Sequence, residues 1–339
     1  MKTTYKGIIN LKIKFLKLFM RLSRMWQRKG EISMVKIITD SSCDIREIRL
    51  VYDRNGEAVQ FARAPLTICI GDREFVDDDN LDVAEMMGAM KAYDGATSSA
   101  CPAPGAWCDA FAGADEIYVI TITSALSGAY NSAIVAREME LEEHPEKKIH
   151  VIDSLSTGPE MELLVRQLLR EIANGGSFEE ITEHIAAYQK RTKLSFVLHS
   201  VDNLVKNGRV SKLAGFAASV LGISIIGRAS RKGELEMVTK CRGNNKTAGS
   251  VLEEMRAQGY EGGLVSITHC FNEKAALQLK DKIRKEYPDA EISVMATGGL
   301  CSYYAEEEGM LIGYETKLRE FSLSGAFSKT EQEKAYQEA

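Results

Sequence analysis

Residues 35–42, VKIITDSS, set the reading of this 339-residue chain: a short run rich in β-branched residues that stops on an acid and two hydroxyls. Val35, Ile37, Ile38 and Thr39 favour extended backbone, because branching at Cβ stiffens χ1 and suits a pleated, packed surface. The stretch therefore reads as a strand over 35–39 whose carboxyl end presents Asp40, Ser41 and Ser42. The same punctuation recurs. Apolar runs at 117–121 and 149–153 lead into Thr123-Ser124 with Ser127-Gly128, and into Asp153-Ser154. A further strand is expected at 66–70, helices at 83–93, 127–143 and 160–173, and Gly175-Gly176 closes the last helix as a C-terminal cap. Alternating strands and helices indicate a parallel α/β sheet. Ligands of such sheets bind beyond the carboxyl ends of the strands, so the hydroxyl clusters are expected on one rim, offering neutral donors to an oxyanion.

Working outward, the chain exceeds the roughly 250–300 residues at which single cores stop growing, so two domains are expected. The first covers 34–175 and the second 176–320, with a polar tail at 321–339. The second half alternates less regularly: helix 178–191, strand 194–198, an apolar helix 211–221, strands near 223–228 and 235–239, helix 245–258, strand 263–268, helix 273–286 and strand 291–296.

Charge separates a leader from the rest. Residues 1–33 hold nine of the 43 basic residues and one of the 48 acidic ones, so a net charge of −5 becomes −13 over the remainder. That balance argues against a nucleic-acid partner. The leader is too charged to span a bilayer and has no signal-peptide cleavage site. Two readings stay open: transient contact with an anionic membrane surface, or upstream sequence that the fold does not need, since Met34 directly precedes the first strand. Seven scattered cysteines without a CxxC pair point to free thiols in a reducing cytoplasm. The five histidines form no metal-binding spacing, and the run Asp77-Asp78-Asp79 reads as carboxylates complementing a helix dipole, so no metal is assigned.

Residues 96–108, ATSSACPAPGAWC, place three hydroxyls before two prolines. Pro102 and Pro104 restrict their own φ and their predecessors, so a rigid loop is expected that opens a helix near Gly105 and aims Thr97, Ser98 and Ser99 at one point. Nucleotide loops of the GxxxxGK[ST] or GxGxxG type and a GxSxG elbow are missing from the sequence. A serine of this loop with His269 would make an acyl hydrolase or transferase, but no acid stands at a spacing that would orient the histidine.

Taken in order, VKIITDSSCD, PLTI at 65–68, ATSSACPAP, TITSALSGAYNSA at 121–133, VIDS at 151–154, VDNLVKNGRVSK at 201–212 and the strand-terminal His269 resemble the DegV family. The resemblance implies a Rossmann-like N-terminal domain with a parallel sheet, a second, smaller α/β (α+β) domain, and one long-chain fatty acid bound between them. It implies a non-catalytic protein without a cofactor. Some members present the fatty acid carboxylate to the catalytic subunit of a fatty acid kinase. Carried over residue by residue, it makes Thr67, Ser98 and His269 carboxylate ligands, with Thr97 and Ser99 beside them, and makes Arg209, Ser127 and Gly128 ligand-binding or partner-facing. Departures lie at Ala103, at Asn207-Gly208 before Arg209, and in ATGGLCSYYAEEEGMLIGYE near the C-terminus.

Burying about sixteen carbons at roughly 0.8 kcal/mol per CH₂ gives on the order of 12 kcal/mol before association costs, so a lipid tail supplies its own affinity. Uncharged donors at the head then leave a carboxylate nucleophilic. Phe216, Val220, Leu221, Ile223 and Ile225 are the expected tail-lining residues.

Overall fold

The structure is a computed structural model that describes residues 34–209 and 223–317. The first half runs β1 (Val35–Asp40), β2 (Gln60–Ala64), β3 (Thr67–Ile70), β4 (Arg73–Val76), α1 (Val83–Lys91), β5 (Thr97–Ala100), α2 (Pro104–Phe111), β6 (Glu116–Thr121), α3 (Ala129–Glu143), β7 (Lys148–Asp153) and α4 (Pro159–Ala173). The second runs α5 (Phe178–Gln189), β8 (Thr192–Leu198), α6 (Asp202–Lys206), β9 (Ile223–Ala229), β10 (Leu235–Arg242), α7 (Asn244–Ala257), β11 (Leu264–His269), α8 (Glu273–Glu286), β12 (Glu291–Ala296), α9 (Gly299–Ala305) and β13 (Met310–Glu315).

The opening strand is interior, and that explains its composition. The sheet order is β2-β1-β6-β7 with every pairing parallel, and all residues of β1 and β6 are buried. Helices cover both faces, so the strands read as continuous apolar runs rather than alternating ones. One face carries Ile38, Ile117 and Val119 against Trp107 and Phe111 of α2 and the alanines of α3. The other carries Ile37, Tyr118 and Ile120 against Met161, Leu164 and Leu168 of α4 and Ile181 and Ile185 of α5. Gly175, at φ 79°, takes the left-handed conformation that ends α4.

The C-terminal half is a mixed six-stranded sheet, ordered β10-β9-β8-β13-β11-β12, in which only β11 and β12 run parallel. Here the strands alternate. Val197, Val265, Ile267 and Ile312 face the helices α7 and α8, whereas Leu194, Phe196, Leu198 and Leu311 face the other way. Helix α4 lies between the halves, with Glu162 accepting a hydrogen bond from Ser266 Oγ of β11 at 2.5 Å. Contact with β13 is so close that a Cβ on Gly313 would stand 2.5 Å from Glu160 N, so a side chain there would force the halves apart.

The α/β class with a parallel N-terminal sheet is as expected, and α8 and β12 have the expected bounds. The hydroxyl stretch differs. Residues 97–100, expected as loop, form β5, which pairs antiparallel with β3 in a small sheet ordered β4-β3-β5. Pro102 favours extended backbone before it, and pairing with β3 converts that local bias into a strand. Strands β2, β4 and β13 and helices α6 and α9 were also not anticipated. The leader 1–33, the apolar helix expected at 211–221 and the tail 321–339 lie outside the described residues.

Candidate functional site

The outward-facing leucines of the C-terminal sheet meet the rim of the parallel sheet across a cavity of about 330 Å³, near the lower end of the roughly 300–1,000 Å³ typical of small-molecule sites. One wall is Leu194, Phe196 and Leu198 of β8, Leu235 of β10 and Leu311 of β13. The period-two spacing of β8 puts these three on one face, while Ser195 turns away to bond Tyr314 OH at 3.1 Å. The facing wall is Leu66, Ile122 and Leu126, and Leu204 of α6 with Leu300 and Ala305 of α9 close the side. Leu194, Phe196, Leu198 and Leu300 are at most 3 % exposed, so this end is dry and apolar.

The other end is polar and open. Ser99, Ala100, Cys101, Ser127, Gly128 and Arg209 line it, and Ala100, Cys101 and Gly128 are exposed, which marks the mouth. Each hydroxyl there is oriented. Ser127 Oγ accepts from Ala129 N at 3.2 Å at the start of α3, and Arg209 Nε donates to the Leu126 carbonyl at 3.3 Å. Ser99 Oγ pairs with Tyr304 OH at 2.8 Å, and Thr97 Oγ1 pairs with Tyr303 OH at 2.7 Å.

Strand β5 thereby sorts the three hydroxyls. Thr97 and Ser99 share its inner face, and Ser98, one residue out of phase, is exposed on the outer face opposite Cys69. Thr67 faces Ala100 on that same outer side and is half-buried. His269 sits at the end of β11, 8 % exposed, with Nδ1 accepting from Asn272 N at 3.3 Å. Burial lowers its pKa below the ordinary histidine value and keeps the ring neutral. The structure therefore brings Ser99, Ser127, Gly128 and Arg209 to the cavity and puts Thr97 one layer behind Ser99; Thr67, Ser98 and His269 are not among the lining residues. Ile225 belongs to the apolar cluster that backs the wall, and Ile223, half-buried, shares its strand face; Phe216, Val220 and Leu221 lie outside the described residues.

Helix α9 was the main omission. Its N-terminus takes two buried acids of the other half: Asp77 accepts from Gly299 N and Leu300 N at 2.9 and 2.8 Å, and Asp44 from Gly298 N at 2.8 Å. Of the acidic run, Asp77 alone complements a helix dipole, that of α9 and not of the helix that follows the run, which Asp82 caps; Asp78 accepts from Asn80 N and Asp79 pairs with Arg63. Burial pushes Asp44 up to about 6 and also raises Asp77. Asp40, held by Ile122 N and Ser42 N, is likewise raised by burial to about 6. All seven cysteines are free, and among the described residues no cluster of His, Cys, Asp and Glu could hold a metal ion. No helix among them is long and apolar enough to cross a membrane.

Fold and cavity together define an α/β protein of two large sheets and one small one, with an apolar slot between its halves and hydroxyls at the slot's mouth. A family model described as an uncharacterised protein of the DegV family matches residues 34–317, and this chain belongs to that family. A DegV domain-containing protein of Streptococcus pyogenes serotype M1 is 50 % identical over 280 residues, which cover 83 % of this chain and 99 % of that one. The fatty acid kinase B3 protein of Streptococcus pneumoniae, solved loaded with linoleic acid, is 48 % identical with a TM-score of 0.80, covering 84 % of this chain and all of that one. A DegV family protein of Eubacterium eligens loaded with heptadecanoic acid is 44 % identical over the same shares, with a TM-score of 0.79.

Proposed function

We propose that this chain binds one long-chain fatty acid, with its tail along the Leu194–Phe196–Leu198 face and its carboxylate at the mouth, and presents that carboxylate for phosphorylation by a fatty acid kinase partner. The observation that carries the reading is the polarity gradient of the cavity, from leucines and phenylalanine at the closed end to hydroxyls and one guanidinium at the open end. The fatty-acid-loaded relatives at 48 % and 44 % identity support it.

The protein is a carrier and not a catalyst in this reading. Ser99 Oγ pairs with Tyr304 OH, and His269 is not among the lining residues, so the serine–histidine pairing of an acyl hydrolase is not assembled at the slot. Ser99, Ser127, Gly128 and Arg209 form the head-group end, and Thr67, Ser98 and His269 support the mouth from outside the lining. Work in the cytoplasm, collecting the lipid at a membrane surface through residues 1–33, completes the proposal.

Native mass spectrometry of protein isolated from cells tests it: the expected result is one bound fatty acid per chain. With a fatty acid kinase catalytic subunit and ATP, hydroxylamine should then trap an acyl phosphate. Lipid-free protein that also fails to take up oleate would overturn the reading.

A further inference from the structure

We infer that Tyr304, through its hydrogen bond with Ser99, is a head-group ligand that makes the slot prefer a carboxylic acid over a neutral lipid of the same length; this rests on the fatty-acid reading above.

The two adjacent tyrosines of α9 have different fates. Tyr303 is fully buried, and its hydroxyl is occupied twice, by Thr97 Oγ1 at 2.7 Å and by Asn207 Nδ2 at 2.9 Å. Tyr304, one residue on, is half-buried and lines the cavity, and its hydroxyl meets Ser99 Oγ at 2.8 Å. Two hydroxyls so paired carry two protons and use one between them, so one remains to donate into the slot. In this assignment Ser99 Oγ donates within the pair, so the phenol keeps the remaining proton, the bond it accepts polarises it, and its donation to a carboxylate is charge-assisted, roughly twice as strong as between neutral groups. An ester or alcohol draws much less from the same donor. The acceptor this pair recognises is therefore an anionic oxygen.

The donor is also fixed in advance. The rings of Tyr303 and Tyr304 pack edge to face at 4.7 Å, so the anchored ring orients the free one. At its other end α9 is pinned by Asp77 through Gly299 N and Leu300 N. A phenol held at both ends of its helix loses little freedom when the ligand arrives, which favours binding. Thr97 acts here as a positioning residue, behind Tyr303 and not in the slot.

Binding of oleate and of methyl oleate to wild type, Tyr304→Phe, Ser99→Ala and the double variant tests this, with thermal melting to show that each folds. The expected result is about a tenfold loss for oleate in Tyr304→Phe, with methyl oleate within twofold of wild type. The double variant should be little worse than Tyr304→Phe, because the two hydroxyls work as one unit. A Tyr304→Phe variant that keeps the wild-type ratio of oleate to methyl oleate overturns this assignment alone, as does a loss equal for both lipids. Wild-type protein that takes up neither lipid overturns the fatty-acid reading and this assignment with it.

Discussion

The two walls of the slot do different work. The C-terminal wall is one face of a sheet, an uninterrupted leucine and phenylalanine surface that has no polar atom to satisfy. The N-terminal rim is a set of strand ends and short connections whose two mouth hydroxyls, Ser99 and Ser127, are each oriented by a neighbour before a ligand enters. Affinity drawn from area tolerates small errors of placement; recognition drawn from single hydrogen bonds does not. That is why Asp44 and Asp77, buried acids of the N-terminal half, brace the start of α9 at an electrostatic cost, while the greasy wall needs only the ordinary packing of β8 against its neighbours.

Variants that break this contrast should rank as follows. Phe196→Ala removes the largest side chain of the apolar wall, 1 % exposed, and should cost about 3–5 kcal/mol in urea unfolding while weakening acid and ester ligands alike. If it spared the ester, the wall would be reading the head group and the contrast would fail.

Next comes Asp44→Asn compared with wild type across pH. Burial raises the folded pKa of Asp44 to about 6 from 3.8, so the folded state holds that proton more tightly than the unfolded chain does. The stability this contributes is full below the unfolded value and is lost as pH rises through 6. Asparagine escapes the loss, so the stability of the variant relative to wild type should rise by up to about 3 kcal/mol between pH 4 and pH 7.5. A difference independent of pH would mean that Asp44 does not brace the rim as a buried acid.

Ser99→Ala should cost only about threefold to tenfold in fatty acid affinity, with stability changed by about 1 kcal/mol, since Tyr304 keeps its own hydroxyl. Smallest of all, Ser98→Ala should alter affinity less than twofold and stability by less than about 0.5 kcal/mol, because Ser98 lies on the exposed face of β5. A larger effect at Ser98 than at Ser99 would reverse the assignment of the two faces.

Much of the frame was legible. The parallel sheet followed from β1, β6 and β7, each a run rich in β-branched residues that ends on a polar one, and the helices beside them followed from their periodicity and from Gly175. The β8 face was legible too, since Leu194, Phe196 and Leu198 stand at the two-residue spacing of a strand, whereas the expected tail-lining residues Phe216, Val220 and Leu221 lie outside the described residues. The hydroxyls of 97–99 were visible as a cluster but not as a strand. Their sorting needs the register with β3, which no local propensity contains.

The sequence by itself determined the elements whose signal is short-range: strand runs, helix caps and proline-imposed extension. Only the tertiary structure decided which hydroxyl faces the slot, and that Asp77 caps a helix more than two hundred residues downstream. The physical reason is range. Propensity and periodicity act over a few residues, whereas pairing register and the search of a buried carboxylate for backbone N–H groups are settled only when distant segments share one dry interface.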